Sequence, residues 1–595
     1  MHHRKPIVIV TLFCTLMMSL TGCGTPTLST QQKNFSAYLD NFFRLEASAD
    51  ALSLHYILED PADYGIDQVN TSLGTVQVTD PTVSAAQAEN LLQSLSAYDP
   101  AQLPTEQQLI YDILTDAASL QKAGAAYSYL DEPLRPTTGI QAELPILLAE
   151  YSFNDAADIN EYLEILASAP ACLESICGYE EEKAAKGYFM PDFAADTIID
   201  QCMTFAQAQE ENYLLTTFEQ KLNRLDTLSQ NEKRAYLKQN ENFVQNGLLP
   251  VYEALAQTLE SCRQSASRTT DNASTPQGLC HLRNGTYYYE WLVKKYTGSK
   301  DPIPTLLERT EAQRNQDLTQ MKRILDRHPE LGDEILELEA DTTDNPLLSA
   351  EPEAMLSHLE KQIQEDFPEN PDCSFTVKSV DPAMEEYLAP AFYLSAPLDH
   401  PNENSIYMNE KQGYSGLKLF TTLAHEGFPG HLYQNLQFAS SDPHPIRTFF
   451  TPAGYSEGWA TYVEMQSYKY AGLPELAAQV LSLEQSAILS LYATADMGIH
   501  RQGWTLTDTL RFFADYGFTN ESAIQEVYEL IVEEPAHYLK YYIGYLEFLE
   551  LKEYAQQLYA EDFDLKEFHR AVLQMGPAPF DLLKKYLPEY YQLRQ

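Results

Sequence analysis

Basic residues are scarce in this chain of 595 residues. It contains 39 Lys and Arg against 86 Asp and Glu, which gives a formal net charge of −47. A surface of that sign repels phosphate groups, so the composition argues against nucleic acid and against anionic lipid surfaces as partners. It favours a protein that stays soluble at an acidic or salty cell surface.

Long apolar runs are also absent beyond the first residues, so no later segment is predicted to span a membrane. The start of the chain predicts a lipoprotein signal peptide at residues 1–22, with a basic beginning and an apolar run over Ile7–Leu20. Leu20-Thr21-Gly22-Cys23 fits a bacterial lipobox, which predicts that Cys23 carries a lipid. The alternative is an ordinary signal peptide with an incidental Cys.

The residues after the lipobox have few apolar positions and are predicted to form a tether over 23–36. We therefore expect a protein on the extracytoplasmic face of the cell membrane, anchored in the cytoplasmic membrane by lipid.

Cysteine pairs with C-x-x-C spacing are missing, which argues against a Cys-based metal site. Cys262 and Cys280 flank a polar loop that a disulfide could close, and an even number of thiols outside the cytoplasm permits such bridges. Free buried thiols are the alternative. The cysteines that remain after the predicted signal and lipidation site are Cys172, Cys177, Cys202, Cys262, Cys280 and Cys373.

The fold is predicted to be mainly α, since apolar residues recur at spacings of three and four through most of the chain. Segments 374–379 and 405–409 are predicted as short strands of a small sheet near the candidate site. We expect two halves without an independent linker, a helical scaffold over 37–370 and a catalytic half over 371–595. The segments with the clearest helical spacing are 155–168, 205–221, 231–258 and 304–326.

The most informative feature is His425-Glu426-Gly427-Phe428-Pro429-Gly430-His431, followed by Glu457 twenty-six positions later. Two His and a distant Glu form the usual ligand set of a catalytic zinc ion, whose fourth position is left for water. Glu426 stands where a general base would lie. One zinc ion bound by His425, His431 and Glu457 is therefore predicted.

The spacing of the two His poses a geometric difficulty. Residues six apart in a regular helix point about 240° apart around the axis. Pro429 and Gly430 disfavour regular helix, which predicts a kink or a two-residue bulge that brings His431 back to the ion. Glu464, two turns beyond Glu457, is predicted to orient a ligating His.

The H-E-x-x-P-G-H segment and the following Glu457-Gly458-Trp459-Ala460 closely resemble a bacterial family known as domain of unknown function 885. The resemblance covers most of the chain and implies a mainly helical body around a deep cleft, similar to thermolysin-like zinc peptidases. Pro535 is followed by Ala536 and His537 where the family has Gly and Gln. Looser similarities occur at 139–145, 284–288, 308–311, 496–504, 535–544 and 568–579.

The resemblance implies roles for further residues. Glu426 would act first as base and then as acid in hydrolysis of a peptide substrate. His500, four residues after Asp496, would donate to the developing oxyanion or support a residue that contacts the metal or the substrate. Tyr541 would donate to the same oxyanion. Simple packing is the alternative for Tyr541. Arg447 and Arg501 could bind a carboxylate group of the substrate. The alternative is that both are solvated charges on the surface.

Three functions remain open from the sequence. The first is a lipid-anchored zinc metallopeptidase. The second is a metal-dependent hydrolase of another amide or an ester. The third is a non-catalytic substrate-binding lipoprotein, which predicts that the protein binds no zinc tightly and that Glu426→Gln leaves its function intact.

Overall fold

The structure is a computed structural model, and it describes residues 28–265, 275–339, 345–371, 373–380, 385 and 389–591. The predicted signal peptide and Cys23 lie outside the described residues. The first described helix begins at Leu28, so much of the segment predicted as a tether over 23–36 is helical. In the part of the chain that the structure describes, no helix is both long and apolar enough to cross a membrane.

Helices form most of the body, which confirms the predicted fold class. The segments predicted at 155–168 and 304–326 lie in α6 and α12, whereas 205–221 is interrupted between α7 and α8. The helices are α1 Leu28–Ala47, α2 Ala51–Ile57, α3 Pro81–Leu95, α4 Thr105–Gly124, α5 Ile140–Glu150, α6 Ala156–Ala185, α7 Asp192–Gln207, α8 Tyr213–Arg224, α9 Gln230–Phe243, α10 Leu249–Ser265, α11 Gly285–Thr297, α12 Ile303–Arg327, α13 Leu331–Glu339, α14 Pro352–Gln362, α15 Gly416–Glu426, α16 His431–Ala439, α17 Ala453–Ser467, α18 Glu475–Met497, α19 Leu506–Ala514, α20 Glu521–Glu533, α21 His537–Tyr559, α22 Leu565–Met575 and α23 Phe580–Tyr590.

A small sheet stands beside these helices, as the sequence predicts. Its strands are β1 Ser374–Ser379, β2 Ala391–Leu394 and β3 Glu403–Met408, in the order β1-β3-β2. β3 pairs in parallel with β1 and antiparallel with β2. β2 is therefore an edge strand, and one of its main-chain N–H groups contacts the candidate site.

The largest hydrophobic core joins the two predicted halves. It contains residues before position 370, such as Leu306 and Leu359, together with Trp459 and Phe548 from the later part. A second core forms among α5 to α10. Residue 370 is therefore not the edge of a separate hydrophobic core.

Glycines let α17 and α21 approach each other closely. A Cβ atom added to Gly458 would lie 2.4 Å from the Cα atom of Gly544, and one added to Gly544 would lie 2.2 Å from the carbonyl oxygen of Gly454. Real Cβ atoms do not approach other atoms so closely, so the absence of side chains sets the distance between the two helices. This contact aligns the helix of Glu457 with the helix of Tyr541.

Candidate metal centre

The segment between the two His is a complete break in the helix. α15 ends at Glu426 and α16 begins at His431, with Gly427 at φ −107°, ψ −100° and Gly430 at φ −77°, ψ −135°. A Cβ atom on Gly430 would lie 1.8 Å from the carbonyl oxygen of His425. The predicted kink or bulge is therefore a full interruption between two helices. Gly430 is required there because the backbone passes so close to His425.

Both imidazoles, one on each side of this break, lie next to one buried carboxylate. The Nε2 atoms of His425 and His431 lie 3.6 Å and 3.4 Å from Oε2 of Glu457. Ligand atoms of the three residues all lie within 4.8 Å of one another, and all three side chains are buried. We call these three residues the metal cluster.

The separations in the metal cluster fit zinc. Two donors that each bind one zinc ion at 2.0–2.2 Å in a tetrahedral arrangement lie about 3.3–3.6 Å apart. The distances from Glu457 to the two imidazoles match that spacing. Two imidazole nitrogens and one carboxylate oxygen are also a donor set that zinc commonly takes in catalytic sites.

Glu464 holds His425 from the other side of its ring. Its Oε2 lies 3.0 Å from Nδ1 of His425, so that nitrogen donates and Nε2 is turned toward the metal cluster. A carboxylate in this place fixes the tautomer and the ring orientation of a ligating His. The geometry agrees with the predicted role of Glu464.

The cluster is rich in negative charge. Burial by itself would lower the pKa of His425, but the carboxylates of Glu457 and Glu464 outweigh it and raise that pKa to about 10. Several carboxylates around one imidazole favour positive charge at that place. Without a metal ion, a proton bound to His425 supplies this positive charge. The electrostatics are therefore those of a cation-binding site.

Glu426 is the last residue of α15, and its side chain contacts the small sheet. The main-chain N–H of Tyr393 in β2 donates to its Oε2 over 2.9 Å, and the side chain is buried. The charge of Glu426 also acts on both His425 and Tyr541, which places the carboxylate near the cluster. The contact with Tyr393 was not foreseen, because β2 was not predicted as a strand.

Tyr541 lies on α21 at the edge of the metal cluster. Its ring centre is 6.2 Å from that of His425. Burial, and then the negative charges of Glu457 and Glu426, hold the pKa of Tyr541 well above its usual value. The phenol therefore stays protonated near neutral pH and can act as a hydrogen-bond donor.

Trp459 links the helix of Glu457 to the break between the two His. It is completely buried, and its indole N–H donates to the carbonyl oxygen of Pro429 over 2.9 Å. The sequence alone assigns no separate role to Trp459 or Gly458, although both follow the predicted ligand Glu457 within two positions.

His500 is held away from a role as oxyanion donor. Its Nδ1 accepts from the main-chain N–H of Leu279, and its Nε2 donates to the carbonyl oxygen of Ile531 over 2.8 Å. Burial lowers the pKa of His500 to about 4. The residue lies in a π-helical turn over Gly498–Gln502, which breaks the regular i, i+4 relation to Asp496 that the prediction assumed.

The Asp496 carboxylate supports the segment that leads into α21. Its Oδ1 accepts from the hydroxyl of Tyr289 over 2.6 Å and from the main-chain N–H of Ala536 over 3.1 Å. Ala536 has φ +67°, a backbone conformation that Gly adopts more easily than Ala. This agrees with the Gly that the family has at this position.

The two arginines weighed as substrate ligands have other contacts. Arg447 is buried and donates to the carbonyl oxygens of Met575 and Pro577, so it is a structural residue. Arg501 is an exposed partner of Glu290.

Cys262 and Cys280, the pair weighed as a disulfide, are separate thiols in the structure. The polar loop between Cys262 and Cys280 is therefore not closed by a bridge in this structure.

One pentapeptide matches the pattern of a different hydrolase class. Gly454-Tyr455-Ser456-Glu457-Gly458 fits G-x-S-x-G, in which the Ser of serine hydrolases stands at a strand-to-helix turn. Here the pentapeptide lies inside α17, and Ser456 is buried. The pattern does not form a nucleophile elbow.

A cavity of about 540 Å³ adjoins the metal cluster through Glu464. Its walls come from α15, α17 and α18, so the helix of His425 also forms part of it. The lining mixes apolar side chains with a few charged ones, among them Lys418 and Glu484. Its described lining includes Glu464 but none of the three metal-cluster residues, and neither Glu426 nor Tyr541.

Residues 62–587 match the family model described as "Bacterial protein of unknown function (DUF885)". No curated protein matches the chain. A "putative lipoprotein" from Colwellia psychrerythraea has a similar crystal structure, with a TM-score of 0.79 and 18% identity over 94% of this chain and 99% of that one. A "putative lipoprotein of unknown function" from Shewanella oneidensis gives a TM-score of 0.63 and 16% identity over 95% of this chain and 100% of that one. At these identities the likeness shows the fold.

Proposed function

We propose that this chain, which belongs to the DUF885 family of bacterial proteins, is a zinc-dependent hydrolase that cleaves peptides. The observation that carries the proposal is the convergence of His425, His431 and Glu457 at zinc-like separations in a buried, carboxylate-rich site. A zinc ion held by these side chains would supply Lewis acidity, which makes water a stronger acid and polarises a carbonyl group.

Glu426 is the proposed general base. It follows the first ligand directly and is buried, and the N–H of Tyr393 fixes one of its oxygens. In the proposed reaction Glu426 accepts a proton from the attacking water and then donates it to the leaving amine. The same contact with Tyr393 keeps the carboxylate in one orientation between these two steps.

Tyr541 is the proposed donor to the oxyanion. It is protonated at neutral pH, and its ring lies beside that of His425. A neutral donor placed before the reaction stabilises negative charge as it develops on the carbonyl oxygen. His500 has no part in this proposal, because main-chain groups hold both of its ring nitrogens.

The proposed location is the extracytoplasmic face of the cell membrane, with a lipid on Cys23. The lipobox and the likeness to two proteins described as lipoproteins support this anchor. Cys23→Ser is expected to move the protein from the membrane fraction to the soluble fraction. Retention of this variant in the membrane fraction would contradict the anchor.

The activity is tested by comparing three forms of the protein on a complex peptide mixture, with products identified by mass spectrometry. The zinc-loaded wild type should cleave peptides. Glu426→Gln should keep its zinc, measured by elemental analysis, and lose cleavage by about a hundredfold or more. Glu553→Gln, an exposed change on α21, is the matched control and should behave like the wild type.

Two outcomes would redirect the proposal. Cleavage of esters or of non-peptide amides, without cleavage of any peptide, would indicate the broader class of metal-dependent hydrolase. A protein that binds no zinc and turns over no substrate would support a substrate-binding lipoprotein.

A further inference from the structure

Solvent reaches the first turns of α21 at one place, and that place lies beside the metal cluster. Between His537 and Leu546 only His537, Tyr538 and Tyr541 are partly exposed, while the other residues of this stretch are buried. The ring centre of Tyr541 is 6.2 Å from that of His425. A molecule that approaches the metal cluster along α21 would therefore meet these three side chains first.

One face of α21 passes the metal cluster over several turns. Gly544 on this face packs against Gly458 of α17, and Tyr541 lies three positions before Gly544. His537 lies four positions before Tyr541, and residues at this spacing share one face of a helix. The ring centres of His537 and Tyr541 are 5.6 Å apart. His537 is therefore the next side chain along this face, one turn beyond Tyr541.

Main-chain hydrogen bonds fix the position of His537 at the start of α21. Its own N–H donates to the carbonyl oxygen of Glu534 over 3.0 Å. The N–H of the preceding Ala536 donates to Oδ1 of Asp496 over 3.1 Å. In the imidazole ring, Nδ1 is buried. A ligand can therefore contact the ring nitrogens of His537 only at Nε2.

The separation of His537 and Tyr541 fits two points along an extended peptide. An extended chain advances about 3.3 Å per residue, so 5.6 Å corresponds to one or two residues. Tyr541 is the proposed donor to the carbonyl group that is attacked. His537 then lies beside a peptide group one or two residues away, and an imidazole N–H can donate to the carbonyl oxygen of that group.

We propose that His537 is a substrate-binding residue, whose Nε2 donates a hydrogen bond to a main-chain carbonyl oxygen one or two residues from the scissile bond. This inference rests on the proposed function, because its ligand is a peptide in the proposed active site. The contact is made to the peptide main chain, which all sequences share. His537 therefore contributes affinity for peptides in general and not for one side chain.

The test measures peptide binding by the zinc-loaded Glu426→Gln protein, which keeps the proposed metal ligands but lacks the proposed base. A tryptic digest of casein is the probe, and the retained peptides are quantified by mass spectrometry. Adding His537→Asn, whose amide is too short to reach the position of Nε2, should reduce retention about tenfold. Adding His537→Gln, whose amide nitrogen reaches that position and can donate, should keep retention within about twofold.

His328→Asn is the matched control, since His328 is an exposed histidine directly after α12 that pairs with Glu330. It should leave retention unchanged. Melting curves check that each variant is folded, and elemental analysis should find the same zinc content in all of them. Equal retention by His537→Asn and by the control would overturn the proposal, and so would a failure of every form to retain any peptide.

Turnover separates this inference from the proposed activity. In a wild type that cleaves peptides, His537→Asn should raise KM about tenfold and change kcat by less than about threefold, because the contact is equally strong before and during the reaction. A fall in kcat with an unchanged KM would overturn the role in binding. Peptides that the wild type retains through His537 but does not cleave would support the contact, while the proposed hydrolysis would fail.

Discussion

The indole N–H of Trp459 donates to the carbonyl oxygen of Pro429. Through this bond α17, which carries the proposed ligand Glu457, contacts the segment between the two proposed His ligands. This contact joins two parts of the sequence thirty positions apart. It makes the geometry of His431 depend on a residue that touches no metal.

Trp459→Phe should lower zinc affinity, because the loop between His425 and His431 loses its buried donor. The lost hydrogen bond costs about 1–3 kcal/mol, part of which appears as about a tenfold weaker zinc dissociation constant in competition with a chelator. Trp291→Phe is a matched control, since Trp291 also donates to a main-chain carbonyl, that of Leu120. An equal loss of zinc affinity in both variants would contradict the role of Trp459.

Glu464→Gln should weaken zinc binding by about tenfold to a hundredfold, because the carboxylate that orients His425 is lost. Elemental analysis after dialysis against graded chelator gives the measurement. Glu475→Gln changes an exposed carboxylate on α18 and should have no effect. Full zinc affinity in Glu464→Gln would mean that His425 needs no such support.

Gly458→Ala should destabilise the protein by about 1–3 kcal/mol or more, since the new methyl group would overlap the backbone of Gly544. Gly178→Ala is the opposite case. It lies inside α6 with no atom within 4 Å of a new Cβ, and should stabilise the protein by about 0.5–1 kcal/mol. Urea denaturation compares them, and equal effects would refute the close-contact argument.

Asp496 should make stability depend on pH. Burial raises its pKa from 3.8 to about 7, so between these values the folded state holds a proton that the unfolded state has released. The free energy of unfolding should therefore fall as pH rises from about 4 to about 7, by up to roughly 4 kcal/mol, with no further change above that range.

Asp496→Asn is expected to remove this slope, since it keeps an acceptor for Tyr289 and Ala536 but cannot ionise. Denaturation curves at pH 5, 6, 7 and 8 give the measurement. An unchanged slope in the variant would assign the pH dependence to other groups.

The sequence predicted which residues meet at the candidate metal site better than it predicted their surroundings. His425, His431 and Glu457 could be proposed from residue type and order alone, and the structure brings them together. Pro429 and Gly430 indicated that the helix is perturbed. They could not show how sharply it turns, because the turn depends on a contact between Gly430 and the carbonyl of His425.

The errors came from assuming regular local geometry. His500 was placed on one face with Asp496 by helical spacing, but the π-helical turn changes that relation and main-chain groups take both ring nitrogens. For Cys262 and Cys280 the sequence left both a bridge and separate thiols open, and the structure has separate thiols. Loop length shows that such a bridge is possible, but only the packing of α10 against its neighbours decides whether the thiols meet.

The glycine contact between α17 and α21 limits which amino-acid substitutions this protein can accept. A side chain at Gly458 would push away the helix that carries Tyr541, and a side chain at Gly544 would do the same from the other side. A side chain at either glycine alone would therefore change the spacing between Glu457, a proposed metal ligand, and Tyr541, the proposed oxyanion donor.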